Sequence, residues 1–173
     1  MSAGVTIRER RPTDVPGLVE MLTLQQPTSG YPMRWPLPFP AEQFVVRPAE
    51  ERAWVAERDD GAGPVLLGHV AVSRVEGEGL AEFRAAGVEG RLAAVSVLLV
   101  DPACRGHGIG GRLLEHAVAA IRADGRRPVL DVAPVHAAAL ALYRRRGWQE
   151  VRRIRPPWLP AHQPDVWLMV LPD

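Results

Sequence analysis

The stretch from residue 92 to residue 123 constrains the fold most, because it reads as a buried strand that turns directly into a helix. Leu92–Val100 is an almost continuous apolar run of the length of a strand that is buried on both faces. From Ile109 the apolar residues recur at every fourth position, which predicts one face of a helix closed by Gly125. We therefore expect a strand–turn–helix unit at the centre of the protein.

The turn in this unit is rich in glycine, at positions 106, 108, 110 and 111. Because glycine has no Cβ, the backbone N–H groups of such a turn can approach a ligand at the positive end of the helix dipole. This arrangement suits a phosphate or pyrophosphate, and Arg105 and Arg112 add positive charge. The spacing matches neither the G-x-G-x-x-G turn of dinucleotide folds nor the P-loop, which needs a lysine that this chain lacks.

Two motifs in this region point to one family. Residues 105–110 fit R-x-x-G-x-G and follow a strand end of the form L-x-V-D-P at 98–102. This segment resembles the acetyl-CoA-binding motif of the GCN5-related N-acetyltransferases, the GNAT family. The strand at 129–132 and the segment 138–148, AALALYRRRGW, resemble the second signature of that family, a strand followed by A-x-x-L-Y-x-x-x-G-[FW]. With the flanking strands, the motifs cover most of residues 92–173.

The predicted order of elements, β-α-α-β-β-β-α-β-α-β-β, is also the order of the GNAT family. It implies an α/β fold with a mixed, mostly antiparallel central sheet of about seven strands and helices on both faces. In the family this sheet is splayed between strands four and five to admit the pantetheine arm of acetyl-CoA. We expect one N-acetyltransferase domain over residues 1–173, a length that suits one core. The polar, glycine-rich residues 76–90 predict a loop with one helical turn.

Two proline-rich segments interrupt this order. Residues 27–40 hold five prolines beside Tyr31 and Trp35, which argues against regular helix or central strand. A second such segment, 155–165, carries Trp158. Long structured loops in compact domains are usually functional, so we expect Tyr31, Trp35 and Trp158 to line an acceptor pocket. The alternative is two unrelated surface loops.

The resemblance implies that acetyl-CoA is the cosubstrate, and it assigns the contacts residue by residue. The strand edge at Leu98, Leu99 and Val100 would supply N–H groups that polarise the thioester carbonyl. His136 stands where the family usually has an asparagine that contacts the cofactor. The residues expected at the pyrophosphate are Arg105, Gly106, His107, Gly108, Ile109, Gly110, Gly111 and Arg112. No metal is expected.

Tyr143 is the candidate general acid, because the family carries its acid at this position and a phenol matches the pKa of a thiol better than a carboxylic acid does. The alternative is a core tyrosine that anchors the helix. Asp131 is the candidate base, since it interrupts an apolar strand, where burial raises the pKa of a carboxyl group. It also lies twelve residues before Tyr143, like the glutamate base of the family's protein N-terminal acetyltransferases. His69, Glu82 and His162 are weaker candidates.

Composition narrows the class of protein further. A formal net charge of +1 argues against a dedicated nucleic-acid binder, and the arginines at 144–155 fit a solvated edge. The single cysteine, Cys104, excludes an intrachain disulfide. No apolar run approaches the roughly 18 residues of a membrane span, and charged residues occupy 8–11, where a signal peptide would be apolar. We expect a cytoplasmic protein that binds neither membrane nor nucleic acid. Whether it forms a homodimer stays open.

Together these features predict an acetyl-CoA-dependent N-acetyltransferase. It would act on a primary amine of a small molecule or of a peptide or protein N-terminus, by direct attack in a ternary complex. A non-catalytic CoA-binding domain of the same fold is the main alternative, although a retained Tyr143 would then need another reason. An arginine-mediated nucleic-acid binder is a third possibility, against which the net charge argues.

Overall fold

The computed structural model describes residues 4–173, in which seven strands form one sheet and five α-helices pack against it. The strands are β1 (Thr6–Glu9), β2 (Glu50–Asp59), β3 (Pro64–Arg74), β4 (Leu92–Val100), β5 (Arg127–Val132), β6 (Gln149–Ile154) and β7 (Val166–Val170). The helices are α1 (Val15–Ser29), α2 (Ala41–Val45), α3 (Gly77–Ala85), α4 (Ile109–Ala123) and α5 (Ala137–Arg145). None of the helices in this part of the chain is long and apolar enough to cross a membrane.

The sheet has the strand order β1-β2-β3-β4-β5-β7-β6, and β4 and β5 are its one parallel pair. Every other pair of neighbours is antiparallel. The ladder between β4 and β5 covers only the pairs from Leu92↔Arg127 to Ala94↔Val129, after which the two strands separate. A mixed, mostly antiparallel sheet that is splayed between strands four and five is therefore confirmed.

Helices cover both faces of the sheet. On one face, α4 buries the predicted four-residue stripe of Ile109, Leu113, Ala117 and Ile121, all at most 4% exposed, in a cluster that α5 joins through Leu140 and Tyr143. Fully burying one aliphatic side chain of this size contributes about 1.5–3 kcal/mol. On the other face, α1 and α2 pack in a second cluster with parts of β2 and β4. The splayed strands thus lie between two packed helical layers.

Two segments are more helical than the sequence analysis predicts. Residues 76–90 contain α3, a helix of nine residues and not a single turn in a loop. Phe83 explains its length, because the side chain is 5% exposed in an apolar cluster with β4, β5 and β7. Arg84 closes the helix end by donating to the carbonyls of Val88 and Gly90 at 2.6 and 2.7 Å.

The first helix also extends past Pro27 to Ser29, into the segment expected to be irregular. Pro27 lies in the last turn of α1 with its side chain exposed, so its missing N–H affects only the solvent side of the helix end. Gly30 then ends the helix with a left-handed φ of 68°, and its N–H donates to the Gln26 carbonyl at 2.8 Å.

A bulge in β4 lies just beyond the point where β4 leaves β5. Between two of its pairings with β3, β4 has one residue more than its partner, and Val97 there has a φ of 48°, an unusual angle for a β-branched residue. Before the bulge, Val95 packs with α4, whereas after it Leu99 packs with α1. The bulge therefore reverses which side chains of β4 face each helical layer.

A buried polar network holds this bulge. His69 is fully buried, and its Nδ1 lies 2.8 Å from the Val97 carbonyl while its Nε2 lies 3.1 Å from Arg10 Nη1. Since the carbonyl can only accept and arginine can only donate, His69 is neutral and carries its proton on Nδ1. Arg10 is in turn paired with both carboxylate oxygens of Glu50. Both ring nitrogens are engaged, so His69 has no free nitrogen with which to act as a base.

We predict that His69 makes stability depend on pH. Burial lowers the pKa of His69 to about 4, whereas in the unfolded chain it is about 6.5. The unfolded state therefore binds one proton more between these values, and the free energy of unfolding should rise with pH by up to about 1.4 kcal/mol per unit. His69→Gln keeps one donor and one acceptor. In this variant the slope of the free energy of unfolding against pH, measured by urea unfolding between pH 4.5 and 6.5, should be lower than in the wild type.

His162→Gln is the matched control, because His162 is exposed and lies outside the network. It should leave the slope at the wild-type value. Equal slopes for wild type and His69→Gln would contradict the assignment of a neutral, proton-excluding His69.

Candidate functional site

A cleft of about 1430 Å³ opens where β4 separates from β5. Most of the residues predicted for the site line it: Tyr31, Leu98, Leu99, Val100, Arg105, Gly106, Gly108, Ile109, Gly110, Gly111, Asp131, His136, Tyr143 and Trp158. The cleft therefore brings together the glycine turn, the free strand edge and the candidate acid and base.

Within the described residues, no group of three or more His, Cys, Asp or Glu side chains is arranged to hold a metal ion.

The glycine turn at one end of the cleft has the geometry of an anion site. Gly108 precedes α4 in a left-handed conformation, with φ of 76°, and no atom lies within 4 Å of a Cβ built at this position or at Gly106. The first bond of α4 runs from the Arg112 N–H to the Gly108 carbonyl at 3.1 Å. The N–H groups of the first turn consequently have no partner inside the helix and are available to an anion such as a pyrophosphate.

Three of the predicted residues do not line the cleft. Arg112 directs its guanidinium to the Val5 carbonyl at 2.9 Å, beside the start of β1. His107 is exposed on the outside of the turn, with Nδ1 3.0 Å from the Arg105 carbonyl. Trp35 is 37% exposed in the loop after α1. Their contacts with a ligand remain predictions.

The structure gives a packing reason for the glycine at position 111 that the motif does not reveal. A Cβ at this position would overlap the guanidinium of Arg146, which crosses over α4 to pair with Glu115. This ion pair connects α4 to the end of α5, the helix that carries Tyr143. A side chain at position 111 would therefore push the Arg146 guanidinium aside and weaken this ion pair, a shift that the end of an arginine side chain can make at small cost.

The edge of β4 that faces the splay lies alongside the turn. Beyond Ala94 this edge has no partner in β5, so backbone N–H groups between residues 95 and 100 face the cleft. Unpaired N–H groups fixed in a strand can stabilise negative charge on a carbonyl oxygen. The Val97 bulge and its His69 contact fix the position of this edge.

His136 stands immediately before α5 and lines the same cleft. Both of its ring nitrogens are buried, and neither has a hydrogen-bond partner among residues 4–173. Burial lowers the pKa of His136, so the imidazole is neutral at pH 7 and offers one donor and one acceptor. Two uncommitted polar atoms in the cleft wall fit a contact with a ligand such as the cofactor.

Tyr31 is fixed in the opposite wall by contacts from the end of α1. The buried Gln25 amide donates to the Tyr31 carbonyl, and the Tyr31 N–H donates to the Ser29 hydroxyl at 3.1 Å. The Tyr31 ring meets Phe44 and His136 edge to face, with centroids 5.5 Å apart in both pairs. Tyr31 therefore connects the loop after α1 to the beginning of α5.

The candidate acid and base lie close enough to influence each other. Tyr143 is 7% exposed, and burial, together with the charges of Tyr31 and Asp131, raises its pKa well above the ordinary value. The Asp131 carboxyl is reachable by water inside the cleft but is surrounded by protein, and this burial raises its pKa. At neutral pH Tyr143 accordingly keeps its proton.

Arg47 is a residue of this site that the sequence analysis missed. It lies just after α2 and lines the cleft, and its positive charge lowers the pKa of Asp131 and partly offsets the effect of burial. One arginine beside a proline forms no motif, so nothing in the sequence singled it out.

The weaker base candidates lie elsewhere: Glu82 pairs with Arg152 on the surface, and His162 is exposed outside the cleft.

Comparison with known proteins supports the same assignment. The profile of the Acetyltransferase (GNAT) family matches residues 18–148. Among solved structures, Arabidopsis thaliana NAA60 in complex with a bisubstrate analogue is 25% identical, with a TM-score of 0.71 over 96% of this chain and 97% of that chain. The ribosomal-protein-S18-alanine N-acetyltransferase from Escherichia coli is 20% identical, with a TM-score of 0.66 over 98% and 94%.

A third similar structure is a Salmonella typhimurium protein with its cofactor acetyl-CoA, which is 18% identical, with a TM-score of 0.69 over 96% of this chain and 92% of that chain. The two structures below 25% identity show a common fold. A search of curated protein sequences found no significant match. Because the family profile spans most of the chain, and the cleft has the turn and the open sheet that acetyl-CoA requires, the protein belongs to the GNAT acetyltransferase family, whose cosubstrate is acetyl-CoA.

Proposed function

We propose that the protein is an N-acetyltransferase that moves an acetyl group from acetyl-CoA to a primary amine by direct attack in a ternary complex. The acceptor is a small molecule or the N-terminus of a peptide or protein. The observation that carries the proposal is that one cleft joins the glycine turn to Tyr143 and Asp131. A domain that only bound CoA would have no use for an acid and a base at that place.

The turn and the β4 edge hold the cosubstrate in this proposal. The N–H groups at the start of α4 and the charge of Arg105 bind the pyrophosphate, with His107 and Arg112 at the periphery. Within Leu98–Val100, the N–H groups that are not directed at β3 stabilise the negative charge that develops on the carbonyl oxygen during attack. His136 offers a hydrogen bond to the bound arm. When bound, acetyl-CoA supplies the activated thioester.

Asp131 and Tyr143 handle the two protons. Asp131 accepts a proton from the amine as the N–C bond forms, and Tyr143 donates its proton to the sulfur as the C–S bond breaks. The raised pKa of Tyr143 keeps the proton available at neutral pH. The products are the acetylated amine and the free thiol. Transfer of the proton from Asp131 to Tyr143 through solvent restores both groups, so protons and electron pairs balance without a further reactant.

The acceptor side of the cleft is formed by the two proline-rich loops. Tyr31 and Phe39 of the first loop line it, as does Trp158 of the second. We place Tyr31 and Trp158 against the acceptor, with Trp35 further out. Escherichia coli ribosomal-protein-S18-alanine N-acetyltransferase acts on a protein alanine, which supports a peptide N-terminus as one candidate. Two further predictions from the sequence remain predictions: that the protein is cytoplasmic and that it forms a homodimer.

Gly108→Val should weaken acetyl-CoA binding by at least about 10-fold, because it forces a branched side chain into the space where the pyrophosphate lies. Gly61→Val is the matched control: Gly61 also has a left-handed φ, 92°, and open surroundings, but it lies in the β2–β3 turn away from the cleft. Calorimetric titration of both folded variants checks this. Equal dissociation constants would remove the turn from the binding site.

Tyr143→Phe should lower kcat by about 100- to 10,000-fold, because it deletes the proton of the general acid and keeps the ring. Acetyl-CoA affinity should stay near the wild-type value. Tyr31→Phe, the same change at the only other tyrosine, should alter acceptor KM more than kcat. Thiol release under saturating acetyl-CoA measures both, and an unchanged kcat in Tyr143→Phe would leave Tyr143 a packing role.

Asp131→Asn should remove the acid limb of the pH profile of kcat/KM and lower the rate at pH 7. In the wild type that limb should lie above the ordinary aspartate pKa, because burial raises the pKa of Asp131. A raised pKa favours the protonated form in the folded state, so stability is lost as pH rises through it. The asparagine variant should therefore melt at a slightly higher temperature than the wild type at pH 7, since water in the cleft screens part of the effect, and the difference should shrink at lower pH.

A variant that keeps the acid limb would show that another group is the base. A variant that melts below the wild type at pH 7 would contradict an unfavourable carboxylate at position 131.

A further inference from the structure

Arg47 is held at the acceptor side of the cleft with its guanidinium available. The side chain stacks on Phe44, with Cζ 4.4 Å from the ring centroid, and its Nε donates to the Phe44 carbonyl at 3.3 Å. Stacking fixes the plane of the guanidinium, and because Arg47 lines the cleft its two terminal nitrogens can serve a ligand there.

No carboxylate within residues 4–173 forms an ion pair with Arg47. By contrast Arg74, which also lines the cleft, lies 3.7 Å from Glu76. Arg47 is only partly exposed, and a partly buried cation without a carboxylate partner is costly unless an anion joins it. The most economical partner is an anion that enters with the acceptor.

Arg47 lies beside the groups that meet the reacting amine. Burial raises the pKa values of Tyr31 and Asp131, and the nearby charge of Arg47 offsets part of this effect at both groups. The Tyr31 O–H is a further donor in this part of the cleft. A guanidinium with a hydroxyl beside it is a suitable donor set for a carboxylate.

We propose that Arg47, together with the Tyr31 hydroxyl, binds a carboxylate carried by the amine acceptor, so that the substrate class is amines with a carboxylate a few bonds from the reacting nitrogen. This proposal rests on the acetyltransferase function proposed above. A cation at this position also repels acceptors that carry only positive charge, such as polyamines, and a carboxylate on the acceptor compensates that repulsion. The carboxylate comes from a free amino acid or from an acidic side chain at a peptide N-terminus.

The test compares matched acceptors in two arms. The first arm pairs free amino acids with their carboxamides. The second pairs C-terminally amidated tripeptides that begin with Asp or Glu with those that begin with Asn or Gln. Each pair is assayed as kcat/KM with wild type, Arg47→Gln and Arg58→Gln, where Arg58 is an exposed arginine of β2 outside the cleft. Comparing variant with wild type cancels the intrinsic reactivity of each amine.

In the arm whose acceptors resemble the natural substrate, Arg47→Gln should lower kcat/KM for the acceptor that carries the carboxylate by about 10- to 100-fold. This is the usual effect of losing a charge-assisted bidentate contact. Arg47→Gln should leave the amide member nearly unchanged, and Arg58→Gln should match the wild type for both. Equal effects of Arg47→Gln on both members, or a wild type that prefers the carboxylate in neither arm, would overturn the proposal.

A failure of the acetyltransferase function is distinguishable from a failure of this inference. If wild type binds acetyl-CoA but acetylates no amine in either arm, the proposed function fails. Calorimetric binding of N-acetylated amino acids and of their carboxamides, with CoA present, then decides the role of Arg47. Binding that needs the carboxylate and is lost in Arg47→Gln supports the site, and binding that is absent or indifferent to the carboxylate rejects it.

Discussion

The separation of β4 from β5 is the constraint on which the rest of the structure depends. Parallel strands normally stay paired, yet this pair ends at Ala94, and the Val97 bulge turns β4 away immediately afterwards. The neutral His69, backed by the Arg10–Glu50 pair, holds the Val97 carbonyl in place. A buried, fully satisfied polar network is a rigid way to keep a strand out of regular pairing. The open edge that results is the wall of the cleft.

Burial gives the groups in this cleft their chemical character. Low solvation raises the pKa values of Tyr143 and Asp131 and lowers that of His136, so that the cleft favours neutral side chains. The arginines that line the cleft are the exception, since a guanidinium stays charged under all ordinary conditions. Among them, Arg47 places a permanent positive charge near Asp131, the candidate base.

The central unit could be predicted from the sequence because its pattern is local. The bounds of β4 and the buried stripe of α4 follow from apolar runs and four-residue spacing, and the turn between them follows from its glycines. By contrast α3 is stabilised by the burial of Phe83 against distant strands, and Arg10 reaches His69 across 59 residues. Arg47 can be assigned to the site only from the structure, in which it lies near Asp131. Contacts of this kind leave no periodic trace in the sequence.

In the proposed reaction, amine and thioester meet in one cleft and react directly. Initial rates of thiol release, measured while acetyl-CoA and a primary amine acceptor are both varied, test this most directly. Direct attack in a ternary complex predicts double-reciprocal lines that intersect, with thiol release that depends on the amine. Parallel lines would indicate a covalent acetyl-enzyme, and either that result or thiol release independent of every amine would contradict the account.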